Sequence, residues 1–209
     1  MIIVNFKAYS EATGKKSKEL SKKCAKASEE TGKTVVSVPQ HTDLGEMDGI
    51  FYGQHMDPVE PGSHTGHVTA EGLKAAGASG TLINHSEKRV NPNKIEETVK
   101  RARNHDLTTV VCAQSPEECK EFSKFNPDYV AFEPPELIGG NISVSSAKPK
   151  LIEEAVKKSD SPVLTGAGIK SREDVEKSLK HGCRGVLVAS AIVKSKKPYK
   201  KILELCEGL

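Results

Sequence analysis

The sequence predicts an α/β fold: a compact, closed barrel of eight parallel strands alternating with helices, in a single domain spanning residues 1–209. Three observations lead there. Short β-branched runs alternate with charged stretches of helical period from one end of the chain to the other. The runs number eight: Ile2–Phe6, Thr34–Pro39, Ile50–Gln54, Gly80–Asn84, Thr108–Ala113, Tyr129–Glu133, Pro162–Thr165 and Gly185–Ala189. Several are apolar throughout, as strands buried on both faces of a parallel sheet are. At 209 residues the chain is near the lower size of a (β/α)8 barrel. An open doubly wound sheet is the alternative built from the same alternation. There is no linker, low-complexity tract or short internal repeat beyond the strand–helix unit.

The helices carry readable start signals. Ser115-Pro116-Glu117-Glu118 offers an N-cap serine, a proline at the first helical position and a glutamate placed to close a capping box. Asn91-Pro92 repeats the cap-plus-proline pattern, and Ser171-Arg172-Glu173-Asp174 sets acidic residues against the positive end of a helix dipole. Between Ser10 and Thr31, Leu20, Cys24 and Ala27 recur at helical spacing beside lysines. One unit is short. Between Gln40 and Ile50 only Thr42–Met47 could form a helix, of about one turn, although a parallel crossover usually takes a dozen or more residues. The second helix is therefore expected to be stunted or missing.

Composition excludes several classes. Lys+Arg number 31 against 28 Asp+Glu, with both signs interspersed, which is not the charge stripe of a nucleic-acid binder. The lysine-rich segments Lys15–Lys26 and Lys194–Lys201 read as solvated helix faces. No apolar run reaches the length of a membrane span, and the opening Met1–Ser10 lacks the basic leader and cleavage site of a signal peptide. The five cysteines include no CxxC pair and are odd in number, so a disulfide framework is not expected and a reducing, cytoplasmic setting is.

In such a barrel the loops at the C-terminal strand ends carry the chemistry. The first strand ends in Asn5-Phe6-Lys7 and the fourth in Asn84-His85-Ser86-Glu87, where helix amides could keep the imidazole neutral. The sixth ends in Phe132-Glu133-Pro134-Pro135, a carboxylate whose partial desolvation would raise its pKa toward that of a general base. Glu136-Leu137-Ile138-Gly139-Gly140-Asn141 follows, a glycine-rich stretch long enough to act as a lid. Small residues in Thr165-Gly166-Ala167-Gly168 and Val188-Ala189-Ser190-Ala191 let backbone N–H groups approach an anion. His55, Asp57, His64 and His67 lie near one another in sequence, but Pro58, Pro61, Gly62 and Gly66 mark an exposed loop with solvated histidines, so no metal site is assigned.

Taken together, Val4-Asn5-Phe6-Lys7, Gly62-Ser63-His64-Thr65-Gly66-His67, Asn84-His85-Ser86-Glu87, Val130 through Gly139 and Gly166-Ala167-Gly168-Ile169 resemble the triosephosphate isomerase family, in its compact archaeal-type branch. The resemblance implies a TIM barrel and an aldose–ketose isomerase of glycolysis and gluconeogenesis that acts on triose phosphates without a cofactor. It implies Glu133 as base, His85 as electrophile, Asn5 and Lys7 as substrate contacts, and Glu87 as a buttress for Lys7. Gly139, Gly168, Ala189 and Ser190 would offer N–H groups to the phosphate, with Ile138 over the substrate. Thr65 would reach toward a partner's active site in a homodimer or homotetramer; neither nucleic acid nor membrane is an expected partner.

The chain departs from the family pattern in places. The lid's usual Ile-Gly-Thr-Gly reads Ile138-Gly139-Gly140-Asn141, the second helix is short, and Lys88 stands where many members have arginine. The altered lid keeps open a catalytically impaired sugar-phosphate binder, and another phosphate-binding barrel isomerase is the enzyme alternative.

Overall fold

The computed structural model describes residues 1–135 and 148–209. Its strands are β1 (Ile2–Asn5), β2 (Val35–Val38), β3 (Tyr52–Gly53), β4 (Gly80–Ile83), β5 (Thr108–Ala113), β6 (Tyr129–Phe132), β7 (Val163–Thr165) and β8 (Val186–Val188). All pair in parallel, in the order β2-β1-β8-β7-β6-β5-β4-β3. The two ends of that order meet through a single bridge between Ser37 and Phe51, with the Ser37 N–H donating to Ile50 O at 3.0 Å. The sheet is thus a nearly closed barrel, and the open doubly wound alternative is set aside.

The strands fall where the apolar runs predict, with ends trimmed by a residue or two. The third is the exception, reduced from the expected Ile50–Gln54 to Tyr52–Gly53. Its start is pulled away by the short crossover before it. There the chain forms only a 3₁₀ turn over His41–Glu46, Asp48 N–H is tied to Ser21 Oγ at 3.2 Å, and Gly49 sits at φ 71° against Ala25. A Cβ at Gly49 would approach Ala25 Cβ to 2.7 Å, so glycine is required for the close pass. Ile50 contributes only its carbonyl to the seam, and its side chain emerges into solvent.

Around the barrel run α1 (Lys15–Thr31), α2 (Ala70–Ala75), α3 (Pro92–Arg103), α4 (Pro116–Ser123), α5 (Pro149–Lys158), α6 (Arg172–Lys180), α7 (Ser190–Val193) and α8 (Pro198–Cys206). Leu20, Cys24 and Ala27 form the buried face of α1, which closes on Gly32 in the left-handed conformation. Asn91 and Ser115 cap α3 and α4, and Ser171 with Asp174 forms the full capping box of α6. At α4 the box is half made. Ser115 accepts the Glu118 N–H, but the Glu118 carboxylate accepts Gln114 N–H and pairs with Arg89, a bidentate partner that outcompetes the reciprocal bond.

Strand alternation divides the core. Ile3, Val38, Leu82, Val110, Ala131, Leu164 and Leu187 fill the barrel interior, while Ile2, Val4 and Phe6 pack outward against α1 and α8. Ile83, Val111, Val130 and Phe132 do the same toward α3, α4 and α5. On β1 and β6 this alternation carries Asn5 and Glu133, two positions beyond Ile3 and Ala131, toward the axis. All five cysteines are free and buried, and desolvation pushes the thiols of Cys24, Cys119 and Cys183 up to about 12. Alkylation by iodoacetamide at pH 8 should therefore leave the folded chain unmodified and label five sites after denaturation. Rapid labelling of the native protein would contradict this burial.

Candidate functional site

Three strand ends deliver the polar residues to one mouth. At β1, Lys7 adopts φ 48°, a conformation that costs a non-glycine residue about 1–2 kcal/mol. Asn5 Oδ1 accepts the Lys7 N–H at 3.0 Å, and the Lys7 ammonium reaches Glu87 Oε1 at 2.7 Å. At β4, Asn84 is also left-handed, φ 62°, and turns the chain out of the strand so that His85 lies at the mouth. Its amide is locked by Cys112 O at 3.0 Å and by the Val90 N–H, also at 3.0 Å.

The Glu87 N–H donates to His85 Nδ1 at 3.2 Å. A ring nitrogen that accepts a hydrogen bond carries no proton, so this contact assigns an uncharged imidazole with its N–H on Nε2. The expectation of helix amides above the histidine is corrected: the ring is met by one amide, that of Glu87. It comes from the tight turn His85–Lys88, whose Lys88 N–H donates to His85 O at 2.8 Å, not from a helix, since α3 begins only at Pro92.

Glu133 follows β6 and is 6% exposed. Its Oε2 has no hydrogen-bond partner among the described residues and lies 3.5 Å from His85 Nε2. Burial holds its pKa above the ordinary carboxylate value; the neighbouring His85 ring, the Lys7 cation and the Cys112 thiol acting as donor pull the other way without cancelling the effect. Gly166 makes room for the group. A Cβ there would fall 2.4 Å from Glu133 Cγ and Oε1.

The same mouth is lined by Ala167, Gly168, Ala189 and Ser190. Ala167 and Gly168 are consecutive left-handed residues, φ 70° and 73°, which makes the turn after β7 tight enough to bring backbone close to a ligand. Tyr9 and Lys170 also line it and were not among the residues the sequence singled out. Ile138, Gly139, Gly140 and Asn141, the expected lid, lie outside the described residues.

The third strand's loop differs from its reading as a run of solvated histidines. His55 is buried and pairs through Nε2 with Asp57 Oδ1 at 3.0 Å. Asp57 also closes the loop's base, exchanging backbone and side-chain bonds with Val68 at 2.8 Å each. His64, Thr65 and His67 are exposed on the loop so stapled. Beside it a cavity of about 460 Å³, lined by Lys7, His41, Gln54, His55, Gly66 and Lys88 among others, opens next to the mouth. Arg89, next to Lys88, pairs with Glu118 of α4.

Two further residues with contacts at the site, Gln54 and Cys112, escaped the sequence reading. Gln54 Nε2 donates to Lys7 O at 3.0 Å and Val38 O at 3.1 Å, and Cys112 lies against Glu133. The signal for Gln54 was present: it is a polar residue at the end of a strand run, the same cue that singled out Lys7, His85 and Glu133. Cys112 gave none, because a cysteine inside an apolar run is indistinguishable from core.

A buried carboxyl, an uncharged imidazole and an ammonium sharing the C-terminal mouth of a (β/α)8 barrel, beside a tight small-residue turn, are the equipment of a proton-transferring barrel enzyme. A family profile described as "Triosephosphate isomerase" matches residues 1–207. The triosephosphate isomerase of Methanothermus fervidus is 45% identical, with 98% of this chain and 96% of that protein aligned. That of Methanocaldococcus jannaschii is 43% identical over 98% of each. A solved structure titled triosephosphate isomerase from Bartonella henselae shares the fold, with a TM-score of 0.74 at 20% identity, covering 99% of this chain and 97% of that one. The chain belongs to the triosephosphate isomerase family.

The raised Glu133 pKa sets a pH signature. A carboxyl that binds its proton more tightly when folded contributes stability that is present below the unfolded pKa and lost as pH rises through the folded one. Glu133→Gln, which mimics the protonated form, should therefore exceed the wild type in thermal stability by a margin that grows from pH 4 to pH 8. A margin independent of pH would refute the desolvated carboxylate.

Proposed function

We propose that this chain interconverts dihydroxyacetone phosphate and D-glyceraldehyde 3-phosphate, the isomerisation shared by glycolysis and gluconeogenesis. One observation carries the reading above the others: the buried Glu133 oxygen that lacks a partner among the described residues faces the His85 N–H across 3.5 Å, beside the Lys7 cation. A desolvated base with a free lone pair is suited to removing a proton from carbon.

Glu133 takes a proton from the carbon beside the substrate carbonyl. The electron pair left behind moves onto the carbonyl oxygen, giving an enediolate; the hydroxyl proton then passes from the adjacent oxygen to the former carbonyl oxygen, and Glu133 returns its proton to the former carbonyl carbon as the new carbonyl forms. Lys7 supplies fixed positive charge to the developing oxyanion, and His85 donates its Nε2–H to it. Asn5 holds the Lys7 backbone and borders the substrate. The substrate rearranges without gain or loss of atoms or electrons.

A positioned base contributes ~10²–10⁴-fold and a preorganised oxyanion donor ~10²–10³-fold. Phosphate binding must supply further positioning. Gly168, Ala189 and Ser190 offer backbone N–H groups for it, a reading supported by their place on the mouth. Ile138 and Gly139 keep the parts that the family resemblance gives them. Glu87 fixes the Lys7 ammonium through the 2.7 Å ion pair.

The chain acts as a homodimer or a homotetramer built from dimers, with Thr65 of one copy entering the 460 Å³ cavity of its partner. Its loop is polar, protruding and stapled at the base, and the cavity borders Lys7. Five buried free thiols suit a reducing cytoplasm.

A coupled dehydrogenase assay on glyceraldehyde 3-phosphate tests the function. Glu133→Asp should retract the carboxylate and lower kcat at least a hundredfold with little change in KM, whereas Lys7→Ala should damage both. Wild-type turnover in purified Glu133→Ala would overturn the assignment of the base. Sedimentation at micromolar concentration should give twice or four times the 22.5 kDa chain; a stable single chain with full activity would overturn the assembly.

A further inference from the structure

The side chain of Gln54 has no part in the mechanism above, yet both protons of its amide nitrogen are committed. They go to Lys7 O at 3.0 Å and Val38 O at 3.1 Å. We propose that Gln54 is a positioning residue for the catalytic cation, clamping the carbonyl of the left-handed Lys7 so that its ammonium stays where the substrate's oxyanion forms. The inference rests on the reading of Lys7 given under Proposed function.

Lys7 sits at φ 48°, a conformation that non-glycine residues adopt only when their surroundings impose it. Its peptide groups are held at both ends. Asn5 Oδ1 takes the N–H at 3.0 Å and Gln54 takes the C=O. The second Gln54 bond ends on Val38 O, which also accepts the Phe6 N–H at 3.0 Å, so the clamp is referenced to the last rung between β1 and β2. Without Gln54, the Lys7 carbonyl loses the partner that fixes its direction, and the peptide is freer to relax toward the ordinary right-handed region. A rotation of that backbone swings the long side chain away from Glu87, which is itself largely exposed and a weak anchor.

The geometry also makes the amide specific. Two carbonyl oxygens face one nitrogen, so only a group with two donors at this reach satisfies both. Methionine fills similar space with no donor, and glutamate turns acceptors toward acceptors. A role in packing alone would tolerate methionine and would not depend on whether position 7 carries a cation.

The experiment is a double-mutant cycle on kcat/KM with Gln54→Met and Lys7→Ala, each purified and checked for folding by circular dichroism, at enzyme concentrations high enough to follow the slowest variant. Gln54→Met should lose about tenfold in the wild-type background, as expected for loss of its hydrogen bonds, and less than about twofold in Lys7→Ala. Gln54→Glu should lose more than Gln54→Met. An equal loss in both backgrounds would show that Gln54 acts independently of Lys7 and overturn the proposal. So would an unchanged kcat/KM in Gln54→Met accompanied only by lower thermal stability. Should Gln54→Met fail to fold, Gln54→Asn, which keeps the amide but withdraws it by one methylene, carries the same comparison. Full activity in Lys7→Ala would instead overturn the reading of Lys7, a result distinguishable from failure of the clamp alone.

Discussion

The cost of keeping a carboxyl group out of water governs the architecture of this site. Glu133 is buried, one of its oxygens lacks a partner among the described residues, and neither the nearby ammonium nor the imidazole brings its proton affinity down to that of an exposed glutamate. Such a group persists only because its surroundings are fixed by packing that has nothing to do with charge. Phe132 is buried among the residues facing α3, α4 and α5, Ala131 inside the barrel, and Gly166 on the neighbouring strand end leaves room for the carboxyl. The apolar core contributes the stability that the site consumes.

The other two groups are held by backbone devices. Lys7 and Asn84 both occupy left-handed conformations at strand ends, and each is secured by side-chain amides: Asn5 and Gln54 for Lys7, the Asn84 amide itself for the turn that carries His85. Strain concentrated at the ends of otherwise regular strands is how a repetitive scaffold aims side chains that its alternation alone would not bring together. The imidazole's protonation is likewise set locally, by the single amide of Glu87 that donates to Nδ1.

Much of this was legible in the sequence for physical reasons. Parallel strands buried on both faces write themselves as apolar runs, so Thr108–Ala113 is recovered to the residue. Caps built from Asn91, Ser115 and Ser171 are local and were readable too. The third strand was not, because its shortening depends on the approach of Gly49 to Ala25 and the tether from Ser21, contacts between segments far apart in sequence. Among site residues, Lys7, His85 and Glu133 announce themselves as polar groups ending apolar runs. The pairing of His55 with Asp57 did not, since loop composition suggested solvent and only tertiary packing supplies the burial.

The seam between β2 and β3 has one further consequence. There β2 and β3 are joined by a single backbone rung, Ser37 to Phe51, and by the Gln54 stitch to Val38 one residue further toward the rim. The thread that limits its gape at the rim also grips the carbonyl of Lys7, so any widening of the girth is felt at once as a tug on the charge.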